Sequence, residues 1–453
     1  MTTQSSDNEI RLLAYLAAGV RTSDDIQKRF GMSQATVSRL ISRCGARILT
    51  IGKSRSMRYT CLRDVKGQGG EFPVFKIDSE GNAHQIGQLS AVAGENYFWL
   101  PATGPAELFK SLPWFISDLR PEGFVGRAFV RQQHQDLNLP PRVDDWHDDH
   151  VLSALARRGN DCMGNLIVGQ ESLDRYFRAA RELTVPVRQE DIQRIYPMMA
   201  NCAMDGQLPG SSAGGEQPKF TALVERDGIS QNVLVKFSPL VGSEEGRRWA
   251  DLLICEHHAL QIIQEKGIAA ARSCIVVGTD RVFLEVARFD RVGRLGRLPI
   301  ISLRAIDNQF YGHQDSWVAA ANRMVKDGRL SAEGATSLRW LSVFGNLIAN
   351  TDQHFGNISL IMVDDRRRFD LAPAYDNLPM LYRPRDGSAP LPVFTPPASA
   401  SSAPGEWDSA LHWAGVFWGR TAEDVRISEE FRQVCAANRD IVMALGAGPR
   451  LVV

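Results

Sequence analysis

Three polar residues in the C-terminal half of the chain have the types and the spacing that phosphoryl transfer requires. Asp352 and Asn357 form a D-x₄-N pattern in the segment ANTDQHFGNISL, and Asp376 follows in the segment DLAPAYDNLP. A carboxylate can accept the proton of an attacking hydroxyl group, while an amide and a second carboxylate offer the oxygen ligands that Mg²⁺ prefers. The pattern therefore predicts that Asp352 is a catalytic base and that Asn357 and Asp376 bind Mg²⁺.

Upstream of these residues, two segments could hold the phosphate groups of a nucleotide. Residues 211–220 read SSAGGEQPKF, a Gly-rich turn whose backbone N–H groups could face an anion. Lys236 stands in the otherwise apolar segment NVLVKF, where its charge needs a partner, and Glu256 on the following helix is a candidate for that ion pair. His354 lies inside the D-x₄-N segment and could also contact phosphate.

These motifs follow one another in a fixed order, and the D-x₄-N spacing equals that of the protein-kinase catalytic loop. The segments that carry a resemblance to a known family are SSAGGEQPK, VKF, ARFDR, NTDQHFGN and YDN. Together they resemble the HipA family of serine/threonine kinases, which are the toxin halves of bacterial toxin–antitoxin pairs. With its N-terminal module included, essentially the whole chain resembles the YjjJ type of HipA-like protein.

The resemblance implies ATP and Mg²⁺ as cofactors, and it implies specific residues around them. Asp352 would be the catalytic base, and Asn357 and Asp376 would hold Mg²⁺. The backbone of residues 287–289 would pair with adenine as a hinge strand. The predicted nucleotide-binding residues are Ala213, Gly214, Gly215, Gln217, Lys236, Ala287, Arg288, Phe289, His354 and Tyr375.

The resemblance also places a regulatory autophosphorylation site in the Gly-rich turn, at Ser212 with Ser211 beside it. A phosphate on this turn would repel ATP and pull the turn outward. Three features depart from the family pattern: Ala287 replaces the usual acidic residue before R-F-D-R, Pro218 removes one N–H donor from the turn, and a DNA-binding module is fused in cis. Family members usually rely on a separate antitoxin for DNA binding, so the need for one stays open here.

The N-terminal region carries a local excess of positive charge. The whole chain has 52 Lys and Arg residues and 52 Asp and Glu residues, but residues 26–63 contain nine basic residues and no acidic one. The order of helix, helix, turn, helix and two short strands predicts a winged helix-turn-helix that binds DNA. A solvated basic face or a protein-docking winged helix is the alternative. The predicted DNA-contacting residues lie at the third helix and on the wing: Ser33, Gln34, Thr36, Arg39, Arg43, Lys53, Arg55 and Arg58.

Length and composition indicate a folded chain of about three domains. Apolar residues make up 44% and charged residues 23% of the 453 positions, which excludes a disordered, collagenous or disulfide-knotted protein. The seven cysteines are scattered without a C-x-x-C pair, so we expect reduced thiols. No apolar run approaches the ~20 residues that span a bilayer, and the first residues do not read as a secretory signal. We therefore expect a cytoplasmic protein without membrane contact, and the resemblance implies that it is bacterial, with its DNA-binding module allowing association with the nucleoid.

The predicted fold class is α+β, with a winged helix-turn-helix followed by a two-lobed, HipA-like protein-kinase fold. The predicted domains are the winged helix over 1–66, a HipA-like N-terminal region with a small β subdomain and helices over 67–205, a nucleotide-binding N-lobe over 206–310 and a helical C-lobe over 311–453. Strands are predicted at FPVFKI, HQIGQL and YFWLPA. Residues 383–405 are rich in Pro, Ser and Ala and predict a long surface loop, and a helical stretch over 422–445 closes the chain.

The sequence therefore predicts an ATP- and Mg²⁺-dependent serine/threonine protein kinase that arrests growth and uses its DNA-binding module for autoregulation. Family resemblance alone suggests a translation component, such as an aminoacyl-tRNA synthetase, as the protein substrate. A homodimer is expected because winged-helix domains often bind DNA as pairs. Two alternatives stay open: a small-molecule kinase of the aminoglycoside phosphotransferase type, and a DNA-binding transcription regulator whose kinase-like domain only senses nucleotide.

Overall fold

The computed structural model describes residues 2–52, 57–182, 185–205, 217–363, 367–385, 391–397 and 403–447. Their buried hydrophobic side chains form several separate clusters, and the largest of these lies mostly in the C-terminal half of the chain. The described helices all fall short of the length and apolarity that crossing a membrane needs. All seven cysteines are free thiols, as their scattered positions predict.

The N-terminal domain consists of three helices and a three-stranded antiparallel sheet. Its elements are α1 (Thr2–Ala17), β1 (Arg21–Thr22), α2 (Ser23–Phe30), α3 (Gln34–Cys44), β2 (Ile48–Ile51) and β3 (Arg58–Cys61), with the strand order β1-β3-β2. Thr22 and Asp25 form a capping box at the start of α2. Gly31 ends that helix with a φ of 62°, and Ser33 caps α3. These local signals explain why the predicted order of helices and strands is found in the structure.

The N-terminal domain is joined to the next domain by specific contacts. The N–H of Ala93 donates to the carbonyl oxygen of Cys61 at 3.0 Å, so the end of β3 continues into the following sheet. The guanidinium group of Arg63 lies over the Tyr97 ring, 5.0 Å from its centroid, and forms an ion pair with Asp149. The N-terminal domain is therefore held against its neighbour by backbone hydrogen bonding and by a cation.

Residues 71–181 build a five-stranded antiparallel sheet covered by helices. Its elements are β4 (Glu71–Ile77), β5 (Ala83–Val92), β6 (Asn96–Pro101), β7 (Glu107–Phe109), α4 (Trp114–Ser117), α5 (Gly123–Leu137), α6 (Asp148–Arg158), β8 (Leu166–Val168) and α7 (Gln170–Arg181), with the strand order β7-β6-β5-β4-β8. The three strands predicted here are confirmed as β4, β5 and β6. The sequence pattern does not predict α5, because Glu122 before it makes no side-chain cap, and Gly123 and Gly126 weaken the helical signal.

Two helices enclose the next five-stranded sheet. Its elements are β9 (Val187–Arg188), α8 (Ile192–Met204), β10 (Lys219–Arg226), β11 (Ile229–Phe237), α9 (Glu244–Glu265), β12 (Ser273–Val277) and β13 (Val282–Ala287), with the strand order β12-β13-β11-β10-β9. On one face, Tyr196 of α8 packs against Phe220 and Phe283, with ring centroids 5.4 and 5.5 Å away. On the other face, Leu253 of α9 packs with Leu284. Helix α8 therefore shares the core of this sheet, although the predicted division at residue 205 places it in the preceding region.

A hairpin and a third strand lead from this sheet into a helical C-terminal body. The elements are β14 (Arg291–Val292), β15 (Gly296–Arg297), β16 (Ile300–Ser302), α10 (Leu303–Phe310), α11 (Trp317–Lys326), α12 (Ala332–Leu347), β17 (Ser359–Met362), β18 (Phe369–Leu371), α13 (Pro404–Glu423) and α14 (Glu429–Ala447). Strands β16, β17 and β18 pair in that order. Because β17 and β18 are antiparallel neighbours, the segment before β17 and the segment after β18 meet at one end of this small sheet.

The end of the chain differs from the predicted single helical stretch over 422–445. Helices α13 and α14 are separate, with a break between Glu423 and Glu429. Composition misleads here because the Pro, Ser and Ala bias runs into the first turn of α13, whereas the rest of that helix buries aromatic residues such as Trp418. In the described part of the predicted loop, Phe394 packs against Trp418 with ring centroids 5.8 Å apart.

Candidate active site

Lys236 is the centre of an ion-pair network between the sheet of β9–β13 and the helical body. Strand β11 holds this lysine with its side chain 3% exposed, and Nζ donates to Oε1 and Oε2 of Glu256 at 2.6 and 2.7 Å. Nζ also forms an ion pair with Asp376. The expected pairing of Lys236 with Glu256 on α9 is thus present, and the aspartate that follows β18 joins it.

Burial and charge act in opposite directions on this network. Burial disfavours the charged form of Lys236, but the carboxylates of Asp376 and Glu256 outweigh it and raise the pKa of the lysine. Burial also favours the neutral form of Asp376, yet Lys236 and Lys219 together lower the pKa of that carboxyl group. For Glu256, burial is the largest influence, and the pKa is raised. The lysine and Asp376 are therefore held in their charged forms.

The turn that carries Asp376 is fixed by hydrogen bonds to the segment after α9. The N–H of Ala374 donates to the carbonyl oxygen of Ala269 at 2.8 Å, and the N–H of Ala271 donates to that of Ala374 at 2.9 Å. Asp376 then adopts a φ of 52°, a left-handed conformation that costs a non-glycine residue about 1 kcal/mol or more. The surrounding structure maintains this strain and keeps the carboxylate of Asp376 beside Lys236.

The D-x₄-N segment lies in the loop between α12 and β17. The N–H of Asp352 donates to Oδ1 of Asn350 at 3.0 Å. Nδ2 of Asn357 donates to the carbonyl oxygen of Asp352 at 2.8 Å and to its Oδ2 at 3.4 Å, so the two predicted residues are in contact. Asn357 is buried, whereas the side chain of Asp352 is 42% exposed. Because Asp352 engages the amide nitrogen of Asn357, the amide oxygen is left available as a metal ligand.

His354 and Gln353 shape the same loop. Nδ1 of His354 accepts a hydrogen bond from the N–H of Gly356 at 3.0 Å, and Nε2 lies 3.8 Å from Oδ1 of Asp352. Gln353 anchors the loop to α12, where its Oε1 accepts a hydrogen bond from Ser342 Oγ at 3.0 Å. The loop is thereby held on its helix while His354 stays accessible.

An open cavity lies where these elements converge, with an empty volume of about 1220 Å³ including its mouth. The predicted site residues that line it are Lys236, Ala287, Arg288, Phe289, His354, Asn357, Tyr375 and Asp376. Asp352 does not itself line the cavity, but its carbonyl oxygen accepts a hydrogen bond from Asn357, which does. The structure therefore brings the predicted chemistry together around one space.

The hinge backbone is already partly engaged within the protein. The N–H of Ala287 donates to Arg272 O at 2.8 Å, and the N–H of Arg288 donates to Asn232 O at 2.9 Å. The guanidinium group of Arg288 pairs with Asp290 at 2.9 Å. The N–H groups of Ala287 and Arg288 are therefore already used within the protein, and the pairing of the 287–289 backbone with adenine stays a prediction for its other groups.

Two aromatic side chains form the part of the cavity beside the hinge. The rings of Phe289 and Tyr375 lie 5.7 Å apart between centroids, with their planes tilted by 34°. The hydroxyl group of Tyr375 is hydrogen-bonded to Ser359 Oγ at 2.8 Å and donates to Gly356 O at 3.0 Å. Burial raises the pKa of Tyr375, so the ring presents a neutral, apolar face to the cavity.

Sequence reasoning missed several residues that line the cavity. Lys219 faces Lys236 across the β10–β11 pair and is 4% exposed, and its place in the segment GEQPK is a signal that could have found it. The domain of β4–β8 contributes a third wall through Asp118, Leu119, Arg120, Glu122 and Met163. No local pattern marks those residues, because they reach the cavity only through tertiary packing.

Two polar contacts fasten this third wall to the segment β16–α10. The carboxylate of Asp118 accepts a hydrogen bond from the N–H of Ser302 at 2.7 Å and another from its hydroxyl group. Glu122 forms an ion pair with Arg304 at 2.6 Å. Burial raises the pKa of Asp118 despite these hydrogen bonds. The cavity is thus bounded by three bodies rather than by two.

Seven predicted residues lie outside the described part of the chain. Five belong to the Gly-rich turn, namely Ser211, Ser212, Ala213, Gly214 and Gly215, and two belong to the wing, namely Lys53 and Arg55. Gln217, the next residue in sequence, is described, and its Nε2 is buried without a hydrogen-bond partner among the described residues.

The predicted DNA-contacting residues of the N-terminal domain fall into two groups. Ser33 and Thr36 are engaged with each other, with 3.0 Å between their hydroxyl oxygens, and Ser33 accepts the N–H of Thr36 as a helix cap. Arg43 lies 3.7 Å from Glu9, which offsets its charge. Gln34, Arg39 and Arg58 form the second group, because they are exposed and make no ion pair within the described part of the chain.

A strand lysine paired with a helix glutamate, a D-x₄-N loop and a later aspartate around one cleft define a kinase-like fold. Family models match the chain in two parts. Residues 68–177 match the middle domain of YjjJ-like toxins, and residues 211–441 match the HipA-like C-terminal domain.

Two known proteins extend these matches. Toxin YjjJ of Escherichia coli (strain K12) is 36% identical over 425 residues, which cover 92% of this chain and 94% of that protein. In the complex of HipA, HipB and operator DNA from the Shewanella oneidensis MR-1 toxin–antitoxin system, one chain aligns with a TM-score of 0.51 at 16% identity. The alignment covers 83% of this chain and 96% of that one, and it shows a shared fold. This chain therefore belongs to the HipA family of toxins, and its relatives there include the YjjJ-like toxins.

Proposed function

We propose that this protein is an ATP- and Mg²⁺-dependent serine/threonine protein kinase and that kinase activity makes it a growth-arresting toxin. The observation that carries the proposal is the position of Lys236, which contacts Glu256 and Asp376 at the wall of a cavity that Asn357 also lines. Protein kinases use a strand lysine and a helix glutamate in this arrangement to hold nucleotide phosphates.

The donors in the cavity fit a magnesium nucleotide. Asn357 and Asp376 would hold Mg²⁺ through an amide oxygen and a carboxylate, the hard oxygen ligands that this ion favours. When bound, Mg²⁺ neutralises charge on the terminal phosphates. Lys219 and Lys236 would contact those phosphates. Asp352, in contact with Asn357 and 42% exposed, would accept the proton of a substrate hydroxyl group that enters from solvent.

The proposed acceptor is a serine or threonine of a protein, and family resemblance points to a translation component such as an aminoacyl-tRNA synthetase. Ser211 and Ser212 in the Gly-rich turn are the proposed autophosphorylation sites. Mass spectrometry of the purified protein after incubation with MgATP tests this assignment. A phosphate on either serine is expected, and phosphate found only elsewhere would contradict it.

Transfer of labelled phosphate tests the kinase proposal against both alternatives. The full-length protein is incubated with Mg²⁺ and γ-labelled ATP, and then with bacterial lysate or with an aminoglycoside. We expect labelled protein, with the rate lowered about 10²–10⁴-fold by Asp352→Asn because the proton acceptor is lost. The exposed Asp370 provides the matched control, and Asp370→Asn should keep the rate.

The same experiment has two outcomes that oppose the proposal. Transfer to the aminoglycoside alone would make the protein a small-molecule kinase. Nucleotide binding without transfer to any acceptor would make it a nucleotide-sensing regulator.

We further propose that residues 1–66 form a winged helix-turn-helix that binds DNA. The support is the arrangement of α2, α3 and the β2–β3 hairpin, with Arg39 and Arg58 exposed on it. The Shewanella HipA was solved together with HipB and operator DNA. For this chain we propose direct contact with DNA, as a homodimer, and a HipB-like antitoxin as a further partner.

DNA binding by the full-length protein is tested by fluorescence anisotropy over a range of salt concentrations. Contacts to phosphate release counterions, so the logarithm of the affinity should fall linearly with the logarithm of the salt concentration. A flat salt dependence, or no binding at low salt, would leave the N-terminal domain as a protein-docking module.

A further inference from the structure

We infer that a cavity beside the hinge, distinct from the nucleotide cleft, is a second ligand site that binds a small phosphate-bearing anion. Four arginines line it: Arg226, Arg272, Arg288 and Arg291. None of the described residues that line it is acidic, and Ser230, Gln231 and Asn232 add polar groups. Guanidinium groups suit phosphate because each offers planar, paired N–H donors to an oxyanion.

The carboxylates around the cavity do not neutralise all of its arginines. The ion pairs are Arg226–Glu285 at 2.6 Å, Arg288–Asp161 at 3.3 Å, Arg288–Asp290 at 2.9 Å, Arg291–Asp161 at 2.8 Å and Arg291–Asp290 at 2.6 Å. No carboxylate in the described part of the chain pairs with Arg272, which is exposed. Four positive charges set against three negative ones leave an excess of one positive charge at the cavity.

A fifth arginine next to these ion pairs adds to the positive potential. Arg297 is 5% exposed, and its Nη1 is buried without a hydrogen-bond partner in the part of the chain that the structure describes. Burial, together with the nearby charges of Arg291 and Arg288, lowers the pKa of Arg297 to about 9.

The walls of this cavity are tied to the hinge. The N–H of Arg288 donates to Asn232 O at 2.9 Å, and the N–H of Ala287 donates to Arg272 O at 2.8 Å. Nδ2 of Asn232 donates to Gly293 O at 3.2 Å. Arg288 lines both this cavity and the nucleotide cleft, so the two sites share one residue. The backbone positions of Arg272 and Arg288 are therefore fixed by hydrogen bonds. The side chains of Arg226, Arg288 and Arg291 are held by their ion pairs, which reduces the ordering cost of binding.

The site is tested by isothermal titration of the full-length protein with inorganic pyrophosphate. AMPPNP is kept saturating and free Mg²⁺ constant, so that the nucleotide cleft is occupied. We expect binding that weakens as salt is added. Arg272→Ala should raise the Kd about tenfold, the loss expected for one charge-assisted hydrogen bond, and Arg272→Glu should abolish binding. Arg272 is the residue to change because no carboxylate depends on it.

Arg247 supplies the matched control, because it is exposed at the start of α9 and does not line the cavity. Arg247→Ala and Arg247→Glu should leave the Kd unchanged. A second titration uses ADP in place of pyrophosphate. Tighter binding of pyrophosphate would identify a free diphosphate as the ligand, and tighter binding of ADP would identify a diphosphate carried by a nucleotide. Absence of binding, or equal effects at Arg272 and Arg247, would overturn the inference. If AMPPNP does not bind, the kinase proposal fails, and the paired Arg272 and Arg247 variants still decide this site.

Discussion

The kinase-like cleft and the N-terminal domain use positive charge in opposite ways. In the cleft, Lys236 is 3% exposed and is held by two carboxylates, so its ammonium group is fixed in one place. In the N-terminal domain, Arg39 and Arg58 are exposed, and neither forms an ion pair within the described part of the chain. Buried charges demand partners because an unpaired one costs several kcal/mol, whereas exposed charges are screened by salt and attract phosphate without fixed geometry.

The comparison shows how positively charged side chains can serve two purposes in the same chain. A lysine that must direct a phosphate group needs a rigid partner, which α9 supplies through Glu256. Under the proposed DNA binding, Arg39 and Arg58 would instead need side chains that are free to move along the DNA backbone. Each of the following experiments breaks or sharpens this contrast.

The largest effect is expected from Lys236→Ala. The change leaves the buried Glu256 and the partly buried Asp376 without their cation. This should lower the free energy of unfolding by about 3 kcal/mol and remove phosphoryl transfer. Urea denaturation followed by circular dichroism measures the first effect. Lys326→Ala, at an exposed helix position, should change the unfolding free energy by less than about 0.5 kcal/mol. Equal stability of the two variants would show that the buried network does not form.

A smaller loss of stability is expected when the pH is lowered, and it should affect the kinase-like region but not the N-terminal domain. Burial, followed by the charges of His258 and Arg426, lowers the pKa of His257 on α9 to about 4. The pKa of His257 in the folded protein lies below the unfolded value of about 6.5. The contribution of the neutral imidazole to the free energy of unfolding is therefore fully present above pH 6.5 and is lost as the pH falls towards 4. The N-terminal domain contains no histidine, so its stability should not follow this course.

Calorimetry between pH 7 and pH 4 checks this prediction. Between pH 7 and pH 4, the kinase-like region of the His257→Gln variant should lose about 1 kcal/mol less unfolding free energy than that of the unchanged protein. This figure is reduced for the partial exposure of the ring. The exposed His412 is the matched control, and His412→Gln should leave the pH dependence as it is. The same slope in both variants would contradict the assignment to His257.

The smallest effects are expected on the DNA face, and they should differ between two arginines of α3. Arg39→Ala should weaken DNA binding by about 1 kcal/mol and reduce the salt slope by about 1. Arg43→Ala should do less, because Glu9 lies 3.7 Å from this guanidinium group and already offsets its charge. Anisotropy titrations at several salt concentrations measure both quantities. Identical slopes for the two variants would mean that Glu9 releases Arg43 when DNA binds.

The chemistry of the site could be anticipated because its residues stand in short local motifs. The structure brings Asp352 and Asn357 of the D-x₄-N motif into contact, and Lys236 pairs with Glu256 as expected. Asp118 on the third wall of the cavity could not be anticipated, because it comes from a distant part of the chain and carries no local signal.

The fold shows the same division between local and tertiary information. Helices α2 and α3 were predictable since their caps, at Thr22 and Ser33, are written into adjacent residues. Helices α5 and α13 were not, because neither has a side-chain cap at its start. Their stability comes instead from apolar faces that meet partners far away in sequence, such as Trp418 in the C-terminal core.

The junction at Cys61 and Ala93 has a consequence for any shortened version of the protein. Removing the N-terminal domain at this point would expose a strand edge that could pair with a strand of another protein. It would also leave Asp149 without its ion-pair partner Arg63. In the intact molecule the same junction holds the N-terminal domain against the domain of β4–β8. If the proposed DNA binding and kinase activity hold, this junction would fix the direction in which the cleft faces on bound DNA and so restrict the substrates that can reach it.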